Sequence, residues 1–215
     1  MSESRHPHSE RRLRLGLERL GLDVELTAPL MRYLAELEKW NATYNLSGIK
    51  IVDDMVLRHL LDSLTVLPAL PQLVDGARLI DVGSGAGIPG LILAIARPGV
   101  KVTTLDSAGK KARFMRHAIR VLGLNNAEVF EGRAEDHVPE DTYDFIISRA
   151  FASLSDFVTV TEHLAGPDSR WLAMKAHVDD AERAALPARW LIEATTRLPV
   201  PGLDEMRQLL VLRAA

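Results

Sequence analysis

The sequence predicts an α/β protein: a doubly wound, mostly parallel sheet closed by an antiparallel C-terminal hairpin and preceded by a helical extension. Three observations carry this reading. From Ala77 onward, apolar strand-length runs alternate with helical patterns, the pattern of a parallel sheet covered on both faces. The first of these strands runs straight into a glycine loop, LIDVGSGAGIPG, at residues 79–90. The last two strands have no helix between them, only the turn around Pro199, Pro201 and Gly202. They should therefore pair antiparallel at one edge.

Residues up to about Asp75 read as helical, so the chain divides into an extension over 1–75 and a sheet domain over 76–215. Leu30, Tyr33, Leu34, Leu37, Trp40 and Tyr44 recur at three- and four-residue steps, which puts them on one helix face. They read as core rather than as platforms for base stacking. A second apolar helix over Met55–Leu67 should be ended by Pro68 and Pro71. Strands are expected at Arg78–Val82, Lys101–Asp106, Ala127–Glu131, Tyr143–Ser148, Arg170–Lys175, Arg189–Leu198 and Gln208–Arg213. Helices fall at about 88–97, 107–123 and 153–165.

Bulk properties exclude several classes. A chain of 215 residues suffices for one full core and an appended element, not for two large domains. It contains no cysteine, which removes disulfides, thiolate metal sites and cysteine nucleophiles; no metal is expected. Its apolar runs are too short to span a bilayer. The start of the chain is charged (Arg5, His6, His8, Glu10) and lacks the apolar segment of a secretory signal, so a cytoplasmic location is expected. A net charge of −3 argues against binding nucleic acid over the whole surface but leaves room for a local basic patch.

The glycine loop fits two fingerprints at once. Gly85, Gly87 and Gly90 match the G-x-G-x-x-G of dinucleotide binders. Asp81, Gly83, Gly85 and Gly87 match the D-x-G-x-G-x-G of enzymes that bind S-adenosylmethionine. In both, strand, glycine loop and helix form a nucleotide-type cofactor site. The terminal hairpin favours S-adenosylmethionine, because dinucleotide folds keep the last strand parallel. The fold class is accordingly a Rossmann-like class I methyltransferase sheet. Asp106 closes the second strand 25 positions after Asp81, near the spacing of about 20 expected for an acid that accepts ribose hydroxyls; it could instead cap the next helix. Ala134 and Glu135, just after the third strand, lie where the adenine ring is contacted.

The helix after Asp106 carries Lys110, Lys111, Arg113, Arg116, His117 and Arg120 with no acidic residue among them. Arg113, Arg116, His117 and Arg120 share one face, which is either a solvated surface or a stripe for RNA phosphates. The fourth strand ends in Ser148-Arg149-Ala150-Phe151, without the Asn or Asp-Pro-Pro-aromatic loop that grips an exocyclic amine. Pyrimidine C5 transfer lacks its cysteine. A ring nitrogen such as guanine N7 carries its own lone pair and needs chiefly alignment.

Several segments together resemble the bacterial RsmG family, also called glucose-inhibited division protein B. They are Trp40-Asn41 with Tyr44-Asn45-Leu46-Ser47, then Arg58-His59-Leu60-Leu61-Asp62-Ser63, the loop over 81–90, Leu105-Asp106-Ser107 with Gly109-Lys110-Lys111, and residues 147–154. The resemblance implies an S-adenosylmethionine-dependent enzyme that methylates N7 of one guanine in the 530-loop region of 16S rRNA; rRNA or the 30S subunit is the expected partner, and a monomer is expected. It implies cofactor contacts at Gly83, Ile88, Ala134, Glu135 and Arg149, and a surface beside the active site at Arg58, His59, Asp62 and Ser63. Arg149 and Lys175 are expected at the reacting centre, and Arg58, His59, Ser63, Lys110, Lys111, Arg113 and Arg116 on the RNA. Where the family pattern reads Lys-Gly, this chain has Lys175-Ala176. Transfer to another RNA or to a small molecule is the alternative, and a cofactor-free RNA-binding module is a third reading.

Overall fold

The computed structural model describes residues 5–149 and 151–215. Ala150, within the segment expected after the fourth strand, lies outside them. The described residues form seven strands: β1 (Arg78–Val82), β2 (Lys101–Asp106), β3 (Ala127–Glu131), β4 (Tyr143–Ser148), β5 (Ala165–Lys175), β6 (Trp190–Arg197) and β7 (Gln208–Ala214). They form one sheet in the order β3-β2-β1-β4-β5-β7-β6. The first five run parallel, and β7 is antiparallel to both β5 and β6. The expected hairpin is therefore at the edge, with β6 outermost. The chain reverses direction across the sheet between β1 and β4, so the carboxyl ends of these two strands open a crevice where ligands of such sheets bind.

β5 starts five residues earlier than the apolar run Arg170–Lys175 suggested. The polar stretch Gly166–Ser169 is held in the strand by an irregular register beside Tyr143 and Phe145. There the Ser169 hydroxyl donates to the Tyr143 carbonyl at 2.6 Å and accepts the Gly166 N–H at 2.8 Å. Side-chain bonds here replace the apolar alternation that marks an ordinary strand.

The helices before β1 are α1 (Pro7–Arg19), α2 (Thr27–Tyr44), α3 (Val52–Met55), a π-helical turn at Val56–Leu61, α4 (Asp62–Leu64) and α5 (Val66–Ala69). The single helix expected over Met55–Leu67 is thus widened by a π segment, which sequence periodicity does not reveal. Pro68 does not end it but lies in the first turn of α5, where a missing N–H is tolerated. α1 crosses the π turn closely because Gly16 has no Cβ; one built there would stand 2.5 Å from the Leu61 side chain.

After the strands begin, the helices are α6 (Gly90–Ala96), α7 (Gly109–Leu122), α8 (Leu154–Thr161) and α9 (Asp180–Ala184). The short α9 was not anticipated; Asp179 caps it by accepting the Glu182 N–H at 2.7 Å. Leu13, Leu17, Leu37 and Leu61 from before β1 share one buried cluster with Ile92, Phe114 and Leu172. The helices over 7–69 consequently pack on the same sheet face as α6 and α7. The opposite face buries Phe157, Trp171 and Trp190. Among the described residues no helix is long and apolar enough to cross a membrane.

α2 also reaches the glycine loop. Tyr33 is fully buried, and its hydroxyl donates to the Ala86 carbonyl at 2.7 Å. Tyr33→Phe should lower stability in urea denaturation by about 1 kcal/mol, because it leaves that buried carbonyl unpaired; an unchanged midpoint would show that the bond contributes nothing.

Candidate active site

The loop after β1 turns through three left-handed residues, Gly83, Gly85 and Gly87, with φ of 75°, 62° and 82°, a region that side-chain-bearing residues avoid. Two carboxylates pin it. Asp106 Oδ2 accepts the Gly85 N–H at 2.9 Å, and Asp81 Oδ2 accepts the Gly90 N–H at 2.7 Å. Asp81 is only 1% exposed and lines neither cavity beside the loop. Its expected place against the cofactor is thus corrected: it braces the loop from behind. Gly87 is also withdrawn from the cavities, since a Cβ there would stand 2.6 Å from Leu91. Gly90 completes the dinucleotide-like spacing for a packing reason, its missing Cβ admitting Asp81 and Thr104.

Two cavities meet at Gly83, which lines both. The first, of about 400 Å³, lies past β2 and β3 between Leu105, Ala134, Phe151 and Val160, with Asp106, Lys111 and Glu135 at its polar edge. The second, of about 460 Å³, is lined by Gly83, Gly85, Ile88, Arg58, His59, Asp62, Arg149, Lys175, Ala176 and Arg207 among others. A Cβ at Gly85 would meet no atom within 4 Å, so its absence enlarges this second cavity. An apolar slot edged by a carboxylate suits a nucleoside, and the bare glycine backbone beside cationic groups suits an amino-acid tail. The residues present fit S-adenosylmethionine on that geometry. Asp106 does not cap α7 directly; Oδ1 accepts the Ala108 N–H at 2.9 Å, and Oδ2 also holds Lys111 at 3.2 Å.

A charged network crosses the second cavity. Asp62 has only 4% of its side chain exposed; it takes Arg149 on Oδ2 at 3.0 Å and Arg207 on Oδ1 at 3.4 Å. Arg149 also donates to the Arg58 carbonyl at 3.0 Å. Arg58, four positions before Asp62, forks onto Glu205. Burial pushes the Asp62 carboxyl up, and the guanidinium groups of Arg149 and Arg207 pull it back down.

His59 is buried, with Nε2 at 2.7 Å from the Ser47 hydroxyl. Burial and the charge of Arg149 lower it to about 4, so the ring is neutral near pH 7. Ser63 is fully buried, and its hydroxyl donates to the His59 carbonyl at 2.6 Å. Its expected place on RNA is corrected, because a hydroxyl bonded back into its own helix presents nothing to a ligand. Lys175 lines the cavity with Nζ turned to the Ala152 carbonyl at 2.7 Å and Glu182 at 2.5 Å.

The basic helix α7 is less free than its sequence suggested. Lys111 is tied to Asp106, Arg116 to Glu131 at 2.6 Å, His117 to Glu36 at 2.6 Å, and Lys110 to the Tyr44 carbonyl at 3.1 Å. Trp40 packs on both Phe114 and His117. The face that looked one-signed is thus partly a seam between α2 and α7, with acids supplied from other elements. Arg113 remains exposed.

With this geometry in place, comparison with known proteins is decisive. Residues 27–211 match the family model described as rRNA small subunit methyltransferase G, GidB. This chain belongs to that family. A ribosomal RNA small subunit methyltransferase G of Methylobacillus flagellatus is 46% identical over 210 residues, covering 95% of this chain and 98% of the relative. One from Stenotrophomonas maltophilia is 48% identical over 200 residues, covering 93% and 92%. Among solved structures, an S-adenosylmethionine-dependent methyltransferase of Thiobacillus denitrificans, crystallised with S-adenosyl-L-homocysteine, superposes with a TM-score of 0.52. It is 14% identical and covers 72% of this chain and 91% of that one, which speaks for the shared fold.

In this member of the rRNA small subunit methyltransferase G family, three residues of the site had no sequence signal. Arg207 and Glu205 touch each other in the hairpin connection, far along the chain from their other partners Asp62 and Arg58. Glu182 lies on the short α9, where it accepts from both Lys175 and the Leu154 N–H. Ser47 was quoted within the family signature without a role, and the structure places it against His59. Ala176 stands beside Lys175 in the cavity wall.

Asp81 gives this family member a testable pH dependence. Burial pushes its carboxyl from the ordinary 3.8 to about 7, against the Gly90 bond and the charge of Arg149. The folded chain keeps the proton up to that point, while the unfolded chain releases it near 3.8. The contribution is therefore full below the lower value and lost as pH rises through the upper one. Relative to Asp81→Asn, the unaltered protein should lose stability between about pH 4 and 7 in urea denaturation; superimposable pH profiles would contradict the assignment.

Proposed function

We propose that this enzyme transfers the methyl group of S-adenosylmethionine to N7 of a guanine in the 530-loop region of 16S rRNA, in the cytoplasm and as a monomer. The observation that carries the choice of atom is the lack, among the described residues, of a strong proton acceptor in the second cavity. Its carboxylate, Asp62, is held by two arginines, and its histidine is lowered to about 4. An exocyclic amine must lose a proton on methylation, whereas guanine N7 offers a free lone pair and needs alignment above all.

When bound, S-adenosylmethionine supplies a sulfonium methyl group that is ready for such a lone pair. The chain's own residues position the partners. Leu105, Ala134 and Phe151 would flank the adenine, with Glu135 at its edge, and Asp106 would accept ribose hydroxyls. Gly83, Gly85 and Ile88 would pass the amino-acid part into the second cavity. Arg149 would face both the cofactor tail and the base, held in place by Asp62 and the Arg58 carbonyl. Lys175 would act as a positioning residue, because its ammonium fastens Glu182 and the Ala152 carbonyl around the cavity. Arg58 and His59 would meet the RNA at the cavity wall, with Lys110 and Arg113 more peripheral. Lys111 and Arg116 would reach RNA only on leaving their carboxylates. Among the described residues no three metal-binding side chains cluster.

Purified enzyme with methyl-labelled S-adenosylmethionine should label 16S rRNA in undermethylated 30S subunits or as naked RNA. Borohydride and aniline should then cleave the strand at the labelled guanine, a reaction of N7-methylguanine. Absence of label in both formats would overturn the substrate; label without cleavage would overturn the atom. Asp106→Asn should weaken S-adenosylmethionine binding by about tenfold in calorimetry, as expected for charge-assisted bonds lost to ribose. An unchanged constant would leave Asp106 as a brace of the loop alone.

A further inference from the structure

The second cavity is strongly cationic. Arg58, Arg149, Lys175 and Arg207 line it, and Asp62 is the one acidic residue among its lining. The two carboxylates that serve these arginines differ in kind. Asp62 is buried between Arg149 and Arg207, with 4% of its side chain exposed, and is a fixed part of the fold. Glu205 is 44% exposed, on the connection that joins the two strands of the edge hairpin.

The geometry around Glu205 is that of an oxyanion site already filled. Arg58 reaches its carboxylate with both terminal nitrogens, Nη1 to Oε2 at 2.9 Å and Nη2 to Oε1. Arg207 Nη2 donates to the same Oε2 at 2.8 Å. These guanidinium groups come from the π turn and from the far end of the chain, yet converge on one anionic group beside the cavity. Planar guanidinium forks match carboxylate and phosphate oxygens alike. Exposed ion pairs of this sort contribute little to stability, so an incoming anion can exchange with Glu205 at small cost. Exchange with buried Asp62 would instead leave Arg149 uncompensated.

We propose that Arg58 and Arg207 form a phosphodiester-binding site for the RNA strand that presents the target base, and that Glu205 occupies it as a stand-in for the phosphate until RNA arrives. The inference rests on the rRNA reading above and adds to it a defined phosphate contact and the group that this contact displaces. Glu205 then acts against unspecific binding, since a bare polyanion must compete with a carboxylate already in place.

The test is binding of naked 16S rRNA to the full-length protein across a range of salt, together with calorimetry for S-adenosylmethionine. Glu205→Gln keeps the side-chain size and removes the competing charge, so rRNA affinity should rise several-fold. Arg207→Ala and Arg58→Ala should weaken it by about tenfold and make the slope of log K against log salt shallower by about one. Cofactor binding should stay unchanged in Glu205→Gln, whose side chain lines neither cavity. Equal or weaker rRNA binding by Glu205→Gln, with normal binding by the unaltered enzyme, overturns this proposal alone. Loss of cofactor binding with an unchanged salt slope in Arg58→Ala also overturns it, because the arginines would then serve the cofactor carboxylate. An unaltered enzyme that binds no rRNA at any salt overturns the rRNA reading as well.

Discussion

The buried carboxylate of Asp62 is the constraint around which the site is assembled. It sits at the start of α4, directly after the π turn, and receives Arg149 from just after β4 and Arg207 from the hairpin connection just before the last strand. Three stretches of chain that share no local sequence relation are thereby fixed around one anion. A lone charge at such a depth would be costly, and removal of one partner from a buried pair typically costs about 3–5 kcal/mol. Arg149 is 28% exposed, so the lower end of that range applies here. The same constraint explains why the helices before β1 help build the second cavity: without them, Arg149 would have neither its counter-ion nor the Arg58 carbonyl.

The glycine loop depends on a second pair of carboxylates that work differently. Asp81 and Asp106 each accept a loop N–H, so the backbone is held from behind by Asp81 and from the cavity side by Asp106. Tyr33 holds the loop carbonyl of Ala86 from α2. Preorganisation of this kind matters where catalysis is mainly alignment, because the loop need not reorganise when a ligand arrives. The fixed loop and the fixed arginine together define two neighbouring cavities, one suited to a nucleoside and the other to an anionic or aromatic partner.

The neutral state of His59 and the paired state of Asp62 follow from the same burial. Desolvation lowers the histidine and raises the aspartate, and the positive charge of Arg149 acts on both. The cavity thus combines cationic groups with weak proton acceptors. Such a surface attracts polyanions and orients bases, and it offers little acid–base chemistry.

Much of the fold was legible in the residues themselves. Strand positions, the edge hairpin and the glycine loop are local matters: alternating apolar runs, turn residues and left-handed glycines constrain the backbone within a few positions. The family signatures added Arg149, Arg58 and His59. Other features escaped because their causes are distant. The π turn packs closely on α1 at Gly16, a contact between distant segments, and the polar start of β5 is bonded to Tyr143. The partners of the basic helix come from Glu36, Glu131 and Tyr44, so its apparent one-sided charge was a property of the segment and not of the surface. Asp81 read as a ligand because its spacing fits a motif, yet spacing does not tell which side of a loop a side chain takes. The sequence by itself determined the sheet, the cofactor loop and the family. Only the tertiary structure decided which charges are paired, because a charge is neutralised by whatever lies within a few ångströms, and chain order does not record that distance.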